Sequence, residues 1–215
     1  MSEIQRATMQ RLYGTDIWQG YKERHAEESV QGWHGTHPSL KRLVATAGAK
    51  IVVDVGVWKG QSTITMARSM QQAGIDGVVI GIDTFLGSPE HWEGAFSQFT
   101  REHGMPTYYW TFLSNVARAG LTDYVVPMPQ TSTTAVQILQ RKKIKASVVH
   151  VDAAHEYREV LRDAEDYWEL LEDGGYLIGD DYSPNWPGVV QASHEFAAKV
   201  GREMSVEGPK WILRK

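Results

Sequence analysis

Ile51-Val52-Val53-Asp54-Val55-Gly56-Val57-Trp58-Lys59-Gly60 is the stretch that decides the fold. Its β-branched run, 51–55, is too short for a helix and does not alternate apolar with polar, as expected of a strand buried on both faces. Residues 61–72 then take helical spacing, with Ile64, Ala67 and Met70 on one side. The same unit recurs along the chain. Val78–Ile82, Tyr124–Met128, Ala146–Val151 and Tyr176–Gly179 read as strands. Helices are expected over 133–141 and 156–172, where Tyr157, Val160, Leu161, Ala164, Trp168 and Leu171 follow i, i+3, i+4, i+7 spacing, with Gly174-Gly175 as the stop. A helix from about Gly188 to Val200 precedes two last strands, near 203–207 and 210–214, turning at Gly208-Pro209. Strand–helix alternation of this kind predicts an α/β fold: an open, mostly parallel sheet with helices on both faces, and an antiparallel strand at or near one edge.

Before this core, residues 1–37 are polar and aromatic, with Tyr13, Trp18, Tyr21 and Trp33, and a helix from Ser39 to Ala47 opens at Pro38. Within it, residues 88–120 form an aromatic stretch carrying Trp92, Phe96, Phe99, Tyr108, Tyr109, Trp110 and Phe112, helical from Pro106 to Ala119. The net charge of −4, from 22 Lys+Arg against 26 Asp+Glu in 215 residues, argues against a nucleic-acid partner. No apolar run approaches the roughly 18 residues of a membrane span, and the N-terminus lacks the basic-then-apolar plan of a signal peptide. The absence of cysteine removes disulfides, thiolate nucleophiles and Cys-held metals together. A cytoplasmic domain with a small-molecule partner is the expectation.

In such sheets ligands sit beyond the carboxyl ends of the strands. At the first end, Gly56 and Gly60 let the turn approach a ligand, or serve only a tight turn. Trp58 stands where the dinucleotide fingerprint needs its second glycine, so a pyrophosphate is disfavoured. Asp54 would repel a phosphate but can reach the amino group of a methionine moiety. At the second end Asp83, 23 positions past Gly60, can accept both ribose hydroxyls of a nucleoside. Together these ends favour S-adenosylmethionine over NAD. Gln130 and Ser132 at the third end border the adenine, or else belong to a helix cap. Trp58, Ser62, Thr84 and Asp152 complete the candidate donor-binding set.

The fourth strand ends Val151-Asp152-Ala153-Ala154-His155 and the fifth ends Gly179-Asp180-Asp181-Tyr182. If these strands are neighbours, Asp152, Asp180 and Asp181 converge, and like charges so close call for a cation. Mg²⁺ or Mn²⁺ suits an all-oxygen set. Alternatively one Asp caps a helix and another pairs with Lys or Arg. His155, with an unperturbed pKa near 6.5, suits a general base, or is a surface or capping histidine. His150, inside the strand, reads as a core residue.

The segments Val55–Gly60, Asp83-Thr84-Phe85 with Gly87, Asp180-Asp181-Tyr182, and Trp186–Ala192 through Glu195-Phe196 resemble the macrocin O-methyltransferase family. Asp152 and His155 with Tyr157, then Gly174-Gly175, resemble the wider class I methyltransferases that include the mycinamicin sugar enzymes. The resemblance implies a seven-stranded Rossmann-like sheet over 50–215, S-adenosylmethionine as donor, and Mg²⁺ held by Asp152, Asp180 and Asp181. It also implies His155 as base and a homodimer. From the residues themselves, 1–49 is expected to be a helical lead-in or lid and 88–120 an acceptor-site insertion. The expected activity is methylation of a hydroxyl on a sugar or natural product. A metal-dependent hydrolase using the same carboxylates, or a non-catalytic nucleoside binder, are the competing classes.

Overall fold

The computed structural model describes residues 2–25, 32–94 and 99–215, so Phe96 of the aromatic stretch lies outside the described residues. Its elements run α1 (Glu3–Tyr13), α2 (Pro38–Thr46), β1 (Ile51–Val55), α3 (Gln61–Gln72), β2 (Val78–Asp83), α4 (Pro89–Trp92), β3 (Arg101–Glu102), β4 (Met105–Pro106) and α5 (Tyr108–Arg118). They continue through β5 (Val125–Pro129), α6 (Ser132–Arg141), β6 (Ala146–Val151), α7 (Tyr157–Trp168), β7 (Leu171–Gly179), α8 (Pro187–Val200), β8 (Ser205–Glu207) and β9 (Lys210–Arg214). Seven strands form one sheet in the order β5-β2-β1-β6-β7-β9-β8, and β3 with β4 makes a separate small hairpin. Only β9 runs against the rest, antiparallel to both β7 and β8. This is the expected Rossmann-like architecture.

The pleat explains why the central strands lack polar alternation. Val53, Val55, Ile80, Ile82, Val149 and Leu177 point to one face, against Ala135, Leu139, Val160, Tyr167, Val189 and Phe196 of α6, α7 and α8. Val52, Val79, Val148, Ile178 and Ile212 point to the other, against Leu40, Leu43, Met66, Met70, Phe112 and Val116 of α2, α3 and α5. Both faces are covered, so every strand position but the polar exceptions is apolar.

The lead-in divides in two. Helix α1 is capped by Ser2, whose side chain accepts from Gln5 N, and Met9 packs on Val78 and Val126. This part closes the β5 edge: Trp18 Nε1 donates to Val125 O at 2.9 Å and Tyr13 OH to Pro127 O at 2.6 Å. Pro127 and Pro129 remove two amides from the same strand, so an edge that could template pairing is blunted.

One boundary differs from the expectation. Gly174-Gly175 does not stop a helix: α7 ends at Trp168, and β7 already starts at Leu171. The glycines form an irregularity in the β6–β7 pairing instead, with Gly174 at φ +80° and a Cβ on Gly175 only 2.8 Å from Ser147 O. Among the described residues no helix is long and apolar enough to cross a membrane.

The order of the sheet reverses at β1, where β2 lies on one side and β6 on the other, and this switch point opens a crevice at the carboxyl ends. At the carboxyl end of β7, Gly179 has no room for a side chain: a Cβ would fall 2.0 Å from the buried Trp211 ring. Gly179→Ala is expected to destabilise the fold at the upper end of about 1–3 kcal/mol, since the indole cannot retreat. Urea unfolding should show a lower midpoint at unchanged slope.

Candidate active site

A cleft of about 260 Å³ occupies the crevice, between the ends of β1, β2, β5 and β6 and the flank of α7. Gly56, Asp83, Thr84, Gln130 and Ser132 line it, as expected, together with Ala153, Ala154, Glu159, Arg162 and Asp163. Gly56 has φ +85°, and a Cβ there would sit 1.9 Å from Asp152 O. The glycine is therefore required by backbone-to-backbone packing of β1 on β6, independently of any ligand. Gly60 is the N-cap of α3 and lies against the Phe112 ring.

Asp83 is the polar feature of the cleft floor. Its Oδ2 accepts from Trp58 N at 2.9 Å and its Oδ1 from Phe85 N at 2.8 Å. Both donors sit in the left-handed region, at φ +50° and +57°. Burial pushes the Asp83 carboxyl above the usual range, against the pull of these two amides. Each oxygen retains a second lone pair, so the carboxylate can still accept hydroxyl groups from the cleft. Trp58 itself leaves the cleft: its ring packs on His91 at 4.1 Å and Tyr108 at 4.4 Å. At the third strand end Thr131 caps α6, while Gln130 and Ser132 line the cleft. Ser132 Oγ donates to Asp163 on α7 at 2.7 Å.

Asp54 does not face the cleft. It is fully buried, with Oδ2 accepting from Ser62 Oγ at 2.8 Å and Thr63 Oγ1 at 2.5 Å, and Oδ1 2.7 Å from His150 Nδ1. Position 54 shares the parity of Val52, so its side chain points under the first turn of α3, and Ser62 is engaged with it. His150 Nε2 lies 2.9 Å from Lys210 Nζ, and Lys210 donates onward to Asp180 Oδ2. A row of buried polar groups thus runs from β1 through β6 to β9 and the end of β7.

A second rim, past the ends of β6 and β7, holds Asp152, His155, Asp180 and Asp181. His155 Nε2 is 2.8 Å from Asp181 Oδ2, and the imidazole stacks on Trp186, with centroids 4.1 Å apart and planes 22° apart. Gly188 brings Trp186 there: a Cβ on it would meet His155 O at 2.8 Å, so α8 starts directly against the start of α7. Burial raises Asp181, but the hydrogen bond and charge of His155, with His34 and Lys210, outweigh it and leave the carboxyl low. Asp152 goes the other way, raised well above the usual range by burial and then by Asp180, with Lys210 opposing.

Among the described residues Asp152, Asp180 and Asp181 meet in pairs, each pair grouped with one histidine within 4.8 Å. Asp180 Oδ2 is taken by Lys210, and its Oδ1 accepts from Asp181 N at 2.8 Å and lies 3.4 Å from His34 Nδ1. Asp152 offers ligand atoms within 4.8 Å in one group with Asp180 and His150, and in another with Asp181 and His155. Lys210 Nζ thus places a positive charge against Asp180. His150 is buried as the core residue expected, but it also links Asp54 to Lys210, a residue the sequence gives no reason to single out.

A family model described as a methyltransferase domain matches residues 53–182, which spans the cleft and the rim together. The chain belongs to that family. Several solved methyltransferases share its fold. An O-methyltransferase from Bacillus cereus in complex with SAH is 18% identical over 97% of this chain and 91% of that one, with a TM-score of 0.59. TomG from Streptomyces achromogenes, an O-methyltransferase involved in tomaymycin synthesis solved with SAM, is 18% identical over 100% and 89%, at 0.59. CalS11, a TDP-rhamnose 3'-O-methyltransferase of calicheamicin biosynthesis, is 16% identical over 82% and 75%, at 0.56. No curated protein matches the chain in sequence.

In this methyltransferase domain the raised carboxyl of Asp152 has a consequence for stability. The native state holds that proton more tightly than the unfolded chain, so stability falls as pH rises from 3.8 through the raised value. Asp152→Asn is therefore expected to melt above the wild type at about pH 7.5. The gain should vanish as pH falls toward 3.8, as followed by thermal melts across pH.

Proposed function

We propose that the protein transfers a methyl group from S-adenosylmethionine to a hydroxyl of a small molecule, a sugar or another hydroxylated natural product. The observation that carries this reading is the adjacency of two unlike sites at one sheet end. The Asp83 cleft and the His155–Asp181 pair meet at Asp152, whose carbonyl touches the Gly56 turn and whose side chain joins the rim. Family membership and the resemblance to the macrocin enzymes support it, as does the fold shared with a TDP-rhamnose methyltransferase. A homodimer belongs to the same proposal.

When bound, S-adenosylmethionine supplies an electrophilic methyl group on a sulfonium. Asp83 orients the donor by accepting its ribose hydroxyls, while Thr84 and Gln130 border the base. Asp181 accepts from His155 Nε2 and fixes the tautomer, which makes Nδ1 the basic nitrogen. His155 takes the acceptor's hydroxyl proton there, and Asp181 stabilises the resulting imidazolium. Trp186 holds the ring plane, so most of the protein's contribution is alignment of two bound substrates. Trp33, 6.4 Å from Trp58, and the Trp58–His91–Tyr108 cluster form the wall that excludes water. No step is assigned to a divalent ion, because Asp180 is already held. A hydrolase would leave the Asp83 cleft without a use.

Calorimetric titration with S-adenosylhomocysteine is expected to give micromolar binding, weakened by about tenfold or more in Asp83→Ala. Wild-type protein that binds none would sink the donor assignment. With an acceptor in hand, His155→Ala should lower turnover by about 10²–10⁴-fold while leaving S-adenosylhomocysteine affinity unchanged. Full activity in that variant would remove the base.

A further inference from the structure

We infer that Lys210 is the resident cation of the acceptor rim: its ammonium holds Asp180 in place and keeps a divalent ion off that carboxylate. The inference rests on reading this rim as the acceptor end of a methyltransferase site. Lys210 opens β9 and is 0% exposed, and Asp180 is 4% exposed. An ammonium has no lone pair, so its contact with His150 Nε2 at 2.9 Å makes that nitrogen an acceptor. His150 then carries its proton on Nδ1 and donates it to Asp54 Oδ1, whose other oxygen accepts two hydroxyls from α3. Each member fixes the next, so Lys210 cannot swing away without stranding both His150 and Asp180.

Asp180 in turn accepts from Asp181 N at 2.8 Å, and Asp181 holds His155. Asp181 sits at φ +59°, a conformation rare for a residue with a side chain, and its amide bond to Asp180 supports it there. Lys210 is thus a positioning residue for the base, acting through Asp180 and Asp181. A divalent ion on Asp180 would have to displace the ammonium or lie beside it in a buried site, where like charges repel strongly.

The test is Mn²⁺ titration of the full chain, followed by calorimetry and by the electron paramagnetic resonance of the free ion. Asp180→Asn should bind Mn²⁺ as the wild type does, because that carboxylate is not a ligand. Lys210→Met should bind it about tenfold tighter or more, and Mn²⁺ should raise its melting temperature. That gain should be lost in the Lys210→Met, Asp180→Asn double variant, and Lys210→Arg should behave as wild type. A clear loss of Mn²⁺ affinity in Asp180→Asn overturns the inference, as does a folded Lys210→Met without the gain. If Lys210→Met does not fold even with Mn²⁺, the comparison of wild type with Asp180→Asn decides alone. S-adenosylhomocysteine titration of the same wild-type protein separates the two claims: its failure removes the methyltransferase reading, whereas the Mn²⁺ results bear on Lys210.

Discussion

The buried row Asp54–His150–Lys210–Asp180 constrains everything around it. It crosses β1, β6, the end of β7 and β9, which are neighbours in that order, and Asp54 faces His150 in register. Removing ions of this kind from water costs several kcal/mol each, and the loss is offset only where geometry and hydrogen bonds are complete. Completeness here needs contributions from four strands and the first turn of α3. A sheet with β9 placed elsewhere would separate Lys210 from Asp180 and His150, at about 3–5 kcal/mol for the broken buried pair. The polar row therefore selects one strand order among those that apolar packing alone would allow.

This dependence explains what could be read from the sequence. Strands covered on both faces need unbroken apolar runs, so 51–55, 78–82 and 146–151 announce themselves, and the acidic residues that close them mark the sheet end. Asp83 and Asp152 lie at or just past a strand end and reach the site region. Asp54 lies one step inside a strand, where parity rather than proximity to the end sets its direction, and it turns under α3. The role of Lys210 depends on contacts to residues 60 and 30 positions away, for which no local pattern exists. Gly174-Gly175 misleads for a different reason: the same residue type serves a helix stop and a strand irregularity. Tertiary pairing with Ala146 and Val148 decides between them.

Strain gathers at the same end of the sheet. Trp58, Phe85 and Asp181 all adopt positive φ, following β1, β2 and β7 respectively, and such conformations cost about 1–3 kcal/mol each. Two of these residues turn their amides onto Asp83, and the third turns its own onto Asp180. The backbone is thus bent to hold two carboxylates, one in the cleft and one beneath the rim.

What joins the two halves is backbone rather than side chain. Asp152 N donates to Val55 O at 2.8 Å, Gly56 N to Ile82 O at 2.9 Å, and Asp180 N to Val151 O at 3.0 Å. The turns after β1, β6 and β7 are therefore laced together by main-chain bonds at the topological switch point. For the proposed methyl transfer, in which two bound molecules must meet in line, displacing one site by an ångström costs orders of magnitude in rate. A seam without side-chain rotamers holds that distance better than any salt bridge could. It also explains why the close approach at Gly56 has no room for a methyl group: the turns after β1 and β6 are set in register by direct contact of their chains.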